Sequence, residues 1–300
     1  MTSSGILLLD KPQGWTSHDA VARTRRLAGT RKVGHAGTLD PMATGLLILG
    51  IESSTRLLTY IVGVDKEYTA TVRLGSSTTT DDAEGDELGR ARASAVEAVT
   101  EDDIRRVMTI LTGDIEQVPS AVSAIKVDGK RAYARVRAGE SVELKARPVT
   151  VSAFELASIT PVDGYLDLEV RVECSSGTYV RALARDLGMG LGIGGHLTAL
   201  RRTRVGPFRV EDAGTLETID VAAALIAPAD AARALFPVYA LSAEQAVDLG
   251  HGKRIATDDA RPAGPHAAIA PDGRLIGLVE FRGTVGRSIV NFPTDHEAAS

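Results

Sequence analysis

Leu166-Asp167-Leu168-Glu169-Val170-Arg171-Val172 alternates apolar and charged residues without a slip, and beyond Gly177 the apolar positions Val180, Leu183, Ala184 and Leu187 recur at i, i+3, i+4 and i+7. The first period is that of a half-buried β-strand, the second that of an amphipathic helix. Tyr68, Ala70, Val72 and Leu74 alternate in the same way, and residues 46–51 read as a fully buried strand. Residues 5–9 read as a short strand ended by the turn chemistry of Lys11-Pro12-Gln13-Gly14. Thr16 with Asp19, and Thr100 with Asp103, have capping-box spacing and open helices to about Leu27 and Leu111. The acidic run 81–87 reads as a surface loop, and 126–133 as a basic turn with Asp128-Gly129 at its tip. Strands and helices mix without a regular βαβ repeat, so the expected class is α+β, a mixed and mainly antiparallel sheet flanked by helices. An Ala-rich stretch around 219–234 and Pro237 marks a boundary between residues 1–236 and a small β-rich domain over 237–300. That end carries a short helix at 241–249 and strands at 275–281 and 288–292.

At 44% hydrophobic and 24% charged over 300 residues, the chain has the composition of a globular protein with a substantial core. No apolar run approaches the roughly 20 residues that span a bilayer. Residues 6–9, broken by Asp10 and lacking a basic flank, do not read as a signal peptide, and the expected address is the cytoplasm. A single cysteine, Cys174, excludes an intramolecular disulfide and a Cys-rich zinc site, and the six histidines show no metal-ligand spacing. Net charge is −5, but it is segregated. Residues 1–60 carry seven Lys/Arg against four Asp/Glu, 122–150 seven against three, and 196–210 four Arg with no acid. Such runs are either solvated faces or the footprint of a polyanion, and charge alone does not choose.

Gly190-Leu191-Gly192-Ile193-Gly194-Gly195 matches the dinucleotide fingerprint G-x-G-x-x-G. That motif works only after a strand and before a helix, whose N-terminus meets the pyrophosphate. Here the order is reversed, so the glycines read as a helix exit. Residues 32–45, Lys32-Val33-Gly34-His35-Ala36-Gly37-Thr38-Leu39-Asp40-Pro41-Met42-Ala43-Thr44-Gly45, read as a loop with three glycines and one carboxylate. Asp40 before Pro41 is equally the signature of a helical N-cap, and His35 that of a loop hydrogen-bonder. Arg181 sits in the first turn of its helix, where the macrodipole disfavours a cation, so it is expected to face an anion. Tyr68 and Tyr179 also fit as core residues.

Five motifs occur in order: Asp10-Lys11-Pro12-x-Gly14-x-Thr16-Ser17; Gly34-His35-x-Gly37-x-Leu39-Asp40-Pro41-x-Ala43-x-Gly45; Lys66-x-Tyr68; Gln117-x-Pro119 with Ala124-x-Lys126; and Cys174-x2-Gly177-Thr178-Tyr179-x-Arg181. Together they resemble the TruB family of bacterial tRNA pseudouridine(55) synthases, from about residue 5 to 205. The end of the chain resembles, more loosely, that family's PUA-like RNA-binding domain. The resemblance implies a pseudouridine-synthase fold and a cofactor-free, metal-free isomerase. Its substrate would be the T-loop uridine of tRNA, flipped out of its stack at a cost of a few kcal/mol. Asp40 resembles the catalytic carboxylate, Arg181 the partner that keeps it ionised, and Tyr68 the residue that stacks on the uracil. Tyr179 would pack on the base's other side, Leu200 line the pocket, and His35 fill the vacated space. Lys11, Gly34 and Lys126 join the substrate-binding set, and the basic segments would hold phosphates. The expected partner is the tRNA T-arm, with no membrane, bound by a monomer.

Two other classes fit parts of the sequence. A tRNA-binding or tRNA-folding protein without chemistry explains the basic segments but has no use for Asp40 and Arg181 together. A nucleoside or glycoside hydrolase also places a carboxylate at an anomeric carbon, but it usually needs two across the bond, and the loop supplies one.

Overall fold

The computed structural model describes residues 3–120 and 144–292, with the backbone alone of Lys126, Val127, Lys130 and Arg131 between them. The chain forms two compact units, one from Met1–Asp40, Gly45–Val62 and Gly206–Ser300, the other from Pro41–Thr44 and Gly63–Val205.

In the first unit the strand Gly5–Lys11 pairs antiparallel with Thr44–Ile51, from Gly5↔Ile51 to Lys11↔Gly45. Both are apolar along nearly their whole length and buried except at the half-buried Asp10 and Thr44, as the sequence implies. Val33–Ala36 pairs with the same Thr44–Ile51 strand, His35 opposite Leu49. This differs from the expectation of one continuous loop over 32–45. A four-residue strand containing a glycine is too short to display a period, and its pairing is set by the apolar strand beside it. The helix Ser17–Ala28 opens on the expected capping box, Thr16 and Asp19 each accepting the other's backbone N–H, and ends at Gly29 with φ 65°.

The C-terminal part of this unit is a five-stranded sheet in the order Val238–Ala240, Pro265–Ile269, Leu275–Arg282, Val285–Asn291, Ile255–Ala256. The first pair is parallel and the others antiparallel. With the helix Ala243–Gly250 it encloses a core of its own, including Tyr239, Leu249, Ile276, Val279 and Phe281.

In the second unit the strands run Gly195–Val205, Lys66–Leu74, Tyr165–Cys174, Arg147–Val162, Gly113–Gln117, each antiparallel to the next. Both alternating segments are strands, and Tyr68 lies between Val172 and Arg202 on its two neighbours. Lys126–Val127 and Lys130–Arg131 pair across the expected Asp128-Gly129 tip, and those two tip residues lie outside the described ones.

The helix Val180–Gly190 runs into the strand Gly195–Val205, the reverse of a dinucleotide-binding order. Its glycines have a packing reason. A Cβ on Gly188 would lie 2.1 Å from the backbone of Gly194 and Gly195, and one on Gly195 2.6 Å from the Ala184 carbonyl. Gly192 and Gly194 take the left-handed backbone (φ 73° and 76°) that turns the chain between them. Among the described residues no helix is long and apolar enough to cross a membrane.

Gly188→Ala forces helix and strand apart. We expect a loss of stability at or above the usual overpacking cost of about 1–3 kcal/mol, read from urea denaturation. An unchanged midpoint would mean that the helix does not rest on the strand at this point.

Candidate active site

Arg181 stands in the first turn of its helix with its side chain 5% exposed. A buried cation there needs an anion, and the structure supplies Asp82 (3% exposed), whose carboxylate lies 3.4 Å from Arg181 Nη1. The same nitrogen donates to the Thr80 carbonyl at 2.9 Å. Asp82 is fixed in turn: its Oδ1 accepts from the Thr80 hydroxyl and from the Glu84 N–H, and its carbonyl accepts from the Thr78 hydroxyl at 2.7 Å. Asp82 also bridges to Leu197 on the neighbouring strand. The acidic run 81–87 is therefore not simply a surface loop. Its second carboxylate turns inward because a buried guanidinium draws it there, and nothing in the sequence of the run distinguishes Asp82 from the acids around it.

Tyr179 caps the same helix without a side-chain cap of its own. Its backbone is held by Gln117, whose Nε2 donates to the Tyr179 carbonyl (3.1 Å) and whose Oε1 accepts the Tyr179 N–H (2.8 Å). Tyr68 is buried on the core face of its strand, with Leu200 diagonally across on the next, opposite Ala70. Lys66 shares that face two residues before Tyr68 and donates to the Val64 carbonyl at 2.7 Å. Burial, then the charge of Arg202, lowers its ammonium from 10.5 to about 8. Opposite it in register, burial pushes the Cys174 thiol from 9.0 to about 11.

In the first unit the glycine-rich segment is held from inside. Ser17 (1% exposed) accepts the Leu39 N–H at 2.9 Å and donates to the Leu39 carbonyl at 3.1 Å, fixing the residue before Asp40. Gly37 (φ 86°) and Gly45 (φ 98°) bracket the segment with backbone that disfavours a side chain. Pro41 and Met42 form a turn rather than the helix that Asp40-Pro41 would also open. His35 stands edge-on to His18, ring centres 5.8 Å apart. A Cβ on Gly34 would come within 3.0 Å of Leu58, so this glycine answers to packing. Lys11, expected among the substrate ligands, is wholly buried and donates to the Pro12 and Trp15 carbonyls at 2.9 and 2.7 Å. It braces the turn that leads into the helix. The side chain of Lys126 lies outside the described residues.

The sequence profile described as "TruB family pseudouridylate synthase (N terminal domain)" matches residues 25–180. The chain belongs to the TruB family. Two further profiles, "tRNA pseudouridylate synthase B C-terminal domain" and "tRNA Pseudouridine synthase II, C terminal", match 181–246 and 236–293. The "tRNA pseudouridine synthase B" of Leifsonia xyli subsp. xyli (strain CTCB07) is 64% identical over 99% of either chain. The protein of the same name from Thermobifida fusca (strain YX) is 53% identical over 97% of this chain and 99% of its own. Among solved structures, the one titled "Structure of H/ACA RNP bound to a substrate RNA containing 2'-deoxyuridine" matches with a TM-score of 0.72, at 25% identity over 97% of this chain and 86% of that one. A "Cbf5-Nop10-Gar1 Complex" matches with a TM-score of 0.71 at 26% identity, with the same coverage. As a TruB-family member the chain is an isomerase that makes pseudouridine in tRNA, not a binding protein without chemistry or a hydrolase.

Asp82→Asn keeps the shape of the Arg181 partner and removes its charge. Breaking a buried pair typically costs about 3–5 kcal/mol, and replacing both partners by apolar residues costs less. Urea denaturation should therefore rank Asp82→Asn below the Asp82→Leu/Arg181→Leu double variant, and the opposite order would show that the pair is not electrostatically coupled.

Lys66 gives a pH signature. The fold favours its neutral amine, so between about pH 8 and 10.5 the unfolded chain binds more protons here and this group's contribution to stability rises with pH. Cys174 runs the other way from 9.0 to about 11, because the fold keeps the thiol protonated while the unfolded chain loses its proton. Relative to Lys66→Met, the wild-type urea midpoint should climb from pH 8 to 9. A difference independent of pH would mean that Lys66 is charged in the fold.

Proposed function

We propose that this synthase acts on the T-loop uridine, position 55, of tRNA, and that Asp40 carries the break and re-formation of the bond between uracil and ribose. The N1–C1′ bond breaks, the base turns, and C5 bonds to C1′. The hydrogen on C5 leaves to water and N1 takes one up, so the change is an isomerisation that calls for no cofactor. One carboxylate serves as nucleophile at the sugar, as nucleophile at the uracil ring, or as base for a sugar proton. Asp40 is the only carboxylate of the 32–45 segment, and the double hold of Ser17 on Leu39 is the observation that carries the assignment. Such fixing of the neighbouring peptide is what a group needing a near-attack position requires.

In this reading Arg181 keeps Asp40 ionised, Tyr68 stacks on the flipped uracil, Tyr179 packs on its other side and Leu200 lines the pocket. His35 fills the space the base leaves. Lys126 and the basic segments take phosphates of the T-arm, while Lys11 and Gly34 support the scaffold. The division at 236/237, with an RNA-binding C-terminal domain, is supported by the separate core of the five-stranded sheet. The enzyme works as a monomer in the cytoplasm.

Asp40→Asn should release no tritium from uracil-5-tritiated T-arm RNA, while binding tRNA with an affinity within a few-fold of wild type. Release near the wild-type rate would rule out the carboxylate as the reacting group.

A further inference from the structure

Gln117 ends the strand Gly113–Gln117, the last in its sheet, and is 2% exposed. Its amide forms with the backbone of Tyr179 the two hydrogen bonds that a neighbouring strand would otherwise make, at 2.8 and 3.1 Å. One residue on, the Val118 carbonyl accepts from Arg185 Nη2 at 2.7 Å. The helix Val180–Gly190 is thus attached to residues 117–118 at its cap and again within its second turn. Between these two points lies Arg181, buried against Asp82 and the Thr80 carbonyl.

We propose that Gln117 is a positioning residue for the reaction, acting through Tyr179 and Arg181. The proposal rests on the reading of those two as base-packing and carboxylate-holding residues. The physical reason is one of leverage. Tyr179 has no side-chain cap; its carbonyl accepts the Leu183 N–H of the helix at 3.2 Å, and Gln117 adds a second bond to that carbonyl and takes the Tyr179 N–H. Removing the Gln117 amide takes away both of its bonds and loosens the hold on the first turn. Arg181 sits two residues into that turn, and a shift on the order of 1 Å in a catalytic group is enough to cost about a hundredfold in rate. The side chain must be glutamine. Asparagine is one methylene short of both atoms. Glutamate keeps the acceptor for the Tyr179 N–H but sets a carboxylate oxygen against the Tyr179 carbonyl. Leucine fills the space and makes neither bond.

The test uses the full chain and intact tRNA. Gln117→Leu is made in the wild type and in Arg181→Lys, and single-turnover rates at saturating tRNA, tRNA affinity and Tm are measured. In the wild-type background the rate should fall about tenfold or more, which is about 1.4 kcal/mol of barrier, with affinity changed less than about threefold. In the Arg181→Lys background the same substitution should cost about twofold or less, because residues that act through one another are not additive. An equal fold-loss in both backgrounds would make Gln117 a general structural residue and overturn the proposal. So would a rate within about twofold of wild type, or a loss of affinity matching the loss of rate. If Gln117→Leu does not fold, Gln117→Glu takes its place, with the same outcomes deciding. An Arg181→Lys variant as fast as wild type would instead remove the reading of Arg181, which the single variant shows by itself.

Discussion

A guanidinium and a carboxylate, each all but closed off from water, meet at 3.4 Å where the helix Val180–Gly190 begins. Burying two charges costs several kcal/mol per ion even after relaxation, and their attraction offsets this only if the remaining donors and acceptors are also met. Much of the surrounding structure follows from that condition. The Thr80 hydroxyl and the Glu84 N–H complete Asp82, and the Thr80 carbonyl takes a second bond from Arg181. The helix that carries Arg181 must lie close to its strand, and Gly188 and Gly195 permit this by having no side chain to interpose. Arg181 sits at the helix end where the macrodipole works against it, which raises the demand on Asp82 further.

The same device recurs around both charged residues singled out by the sequence. Ser17 holds both backbone groups of Leu39, the residue before Asp40, and Gln117 holds both backbone groups of Tyr179, two residues before Arg181. In each case a buried polar side chain fixes the peptide rather than the charged group itself. The charge keeps its donors or lone pairs for other partners while losing the backbone freedom that would blur its position. Lys11 belongs with these supports. Its fully buried ammonium holds two carbonyls of its own turn, those of Pro12 and Trp15.

The strands were legible wherever one face is buried, because Leu166–Val172 and Tyr68–Leu74 carry a period that only a sheet satisfies. The capping boxes at Thr16 and Thr100 were legible because the local chemistry is complete within four residues. Val33–Ala36 was hidden, since its strand character comes from a partner rather than from its own residues. The need of Arg181 for an anion was visible in its place on the helix, but the identity of that anion was not. Asp82 lies about a hundred residues away in sequence, in a run where every acid looks alike. Gln117 stood in a recognised motif without a reason, and the reason is a long-range contact to a backbone, which leaves no mark on composition or period.

The first unit has a history imposed by the order of synthesis. The strand Gly5–Lys11 is bonded to Thr44–Ile51, but it is also bonded through Ile6 to Ile226 in both directions, at 2.8 and 2.9 Å, and through Asp10 and Leu8 to Gly214. At about 5–20 residues per second, those partners leave the ribosome on the order of 10–40 s after the strand they complete. Until then an apolar strand edge, Ile6-Leu7-Leu8-Leu9, has no native neighbour on that side. Chains interrupted before Ile226 already contain Asp40, Tyr68 and Arg181 and still lack the segment that closes this edge. An unfinished chain therefore presents an unpaired apolar strand edge of the kind that drives aggregation.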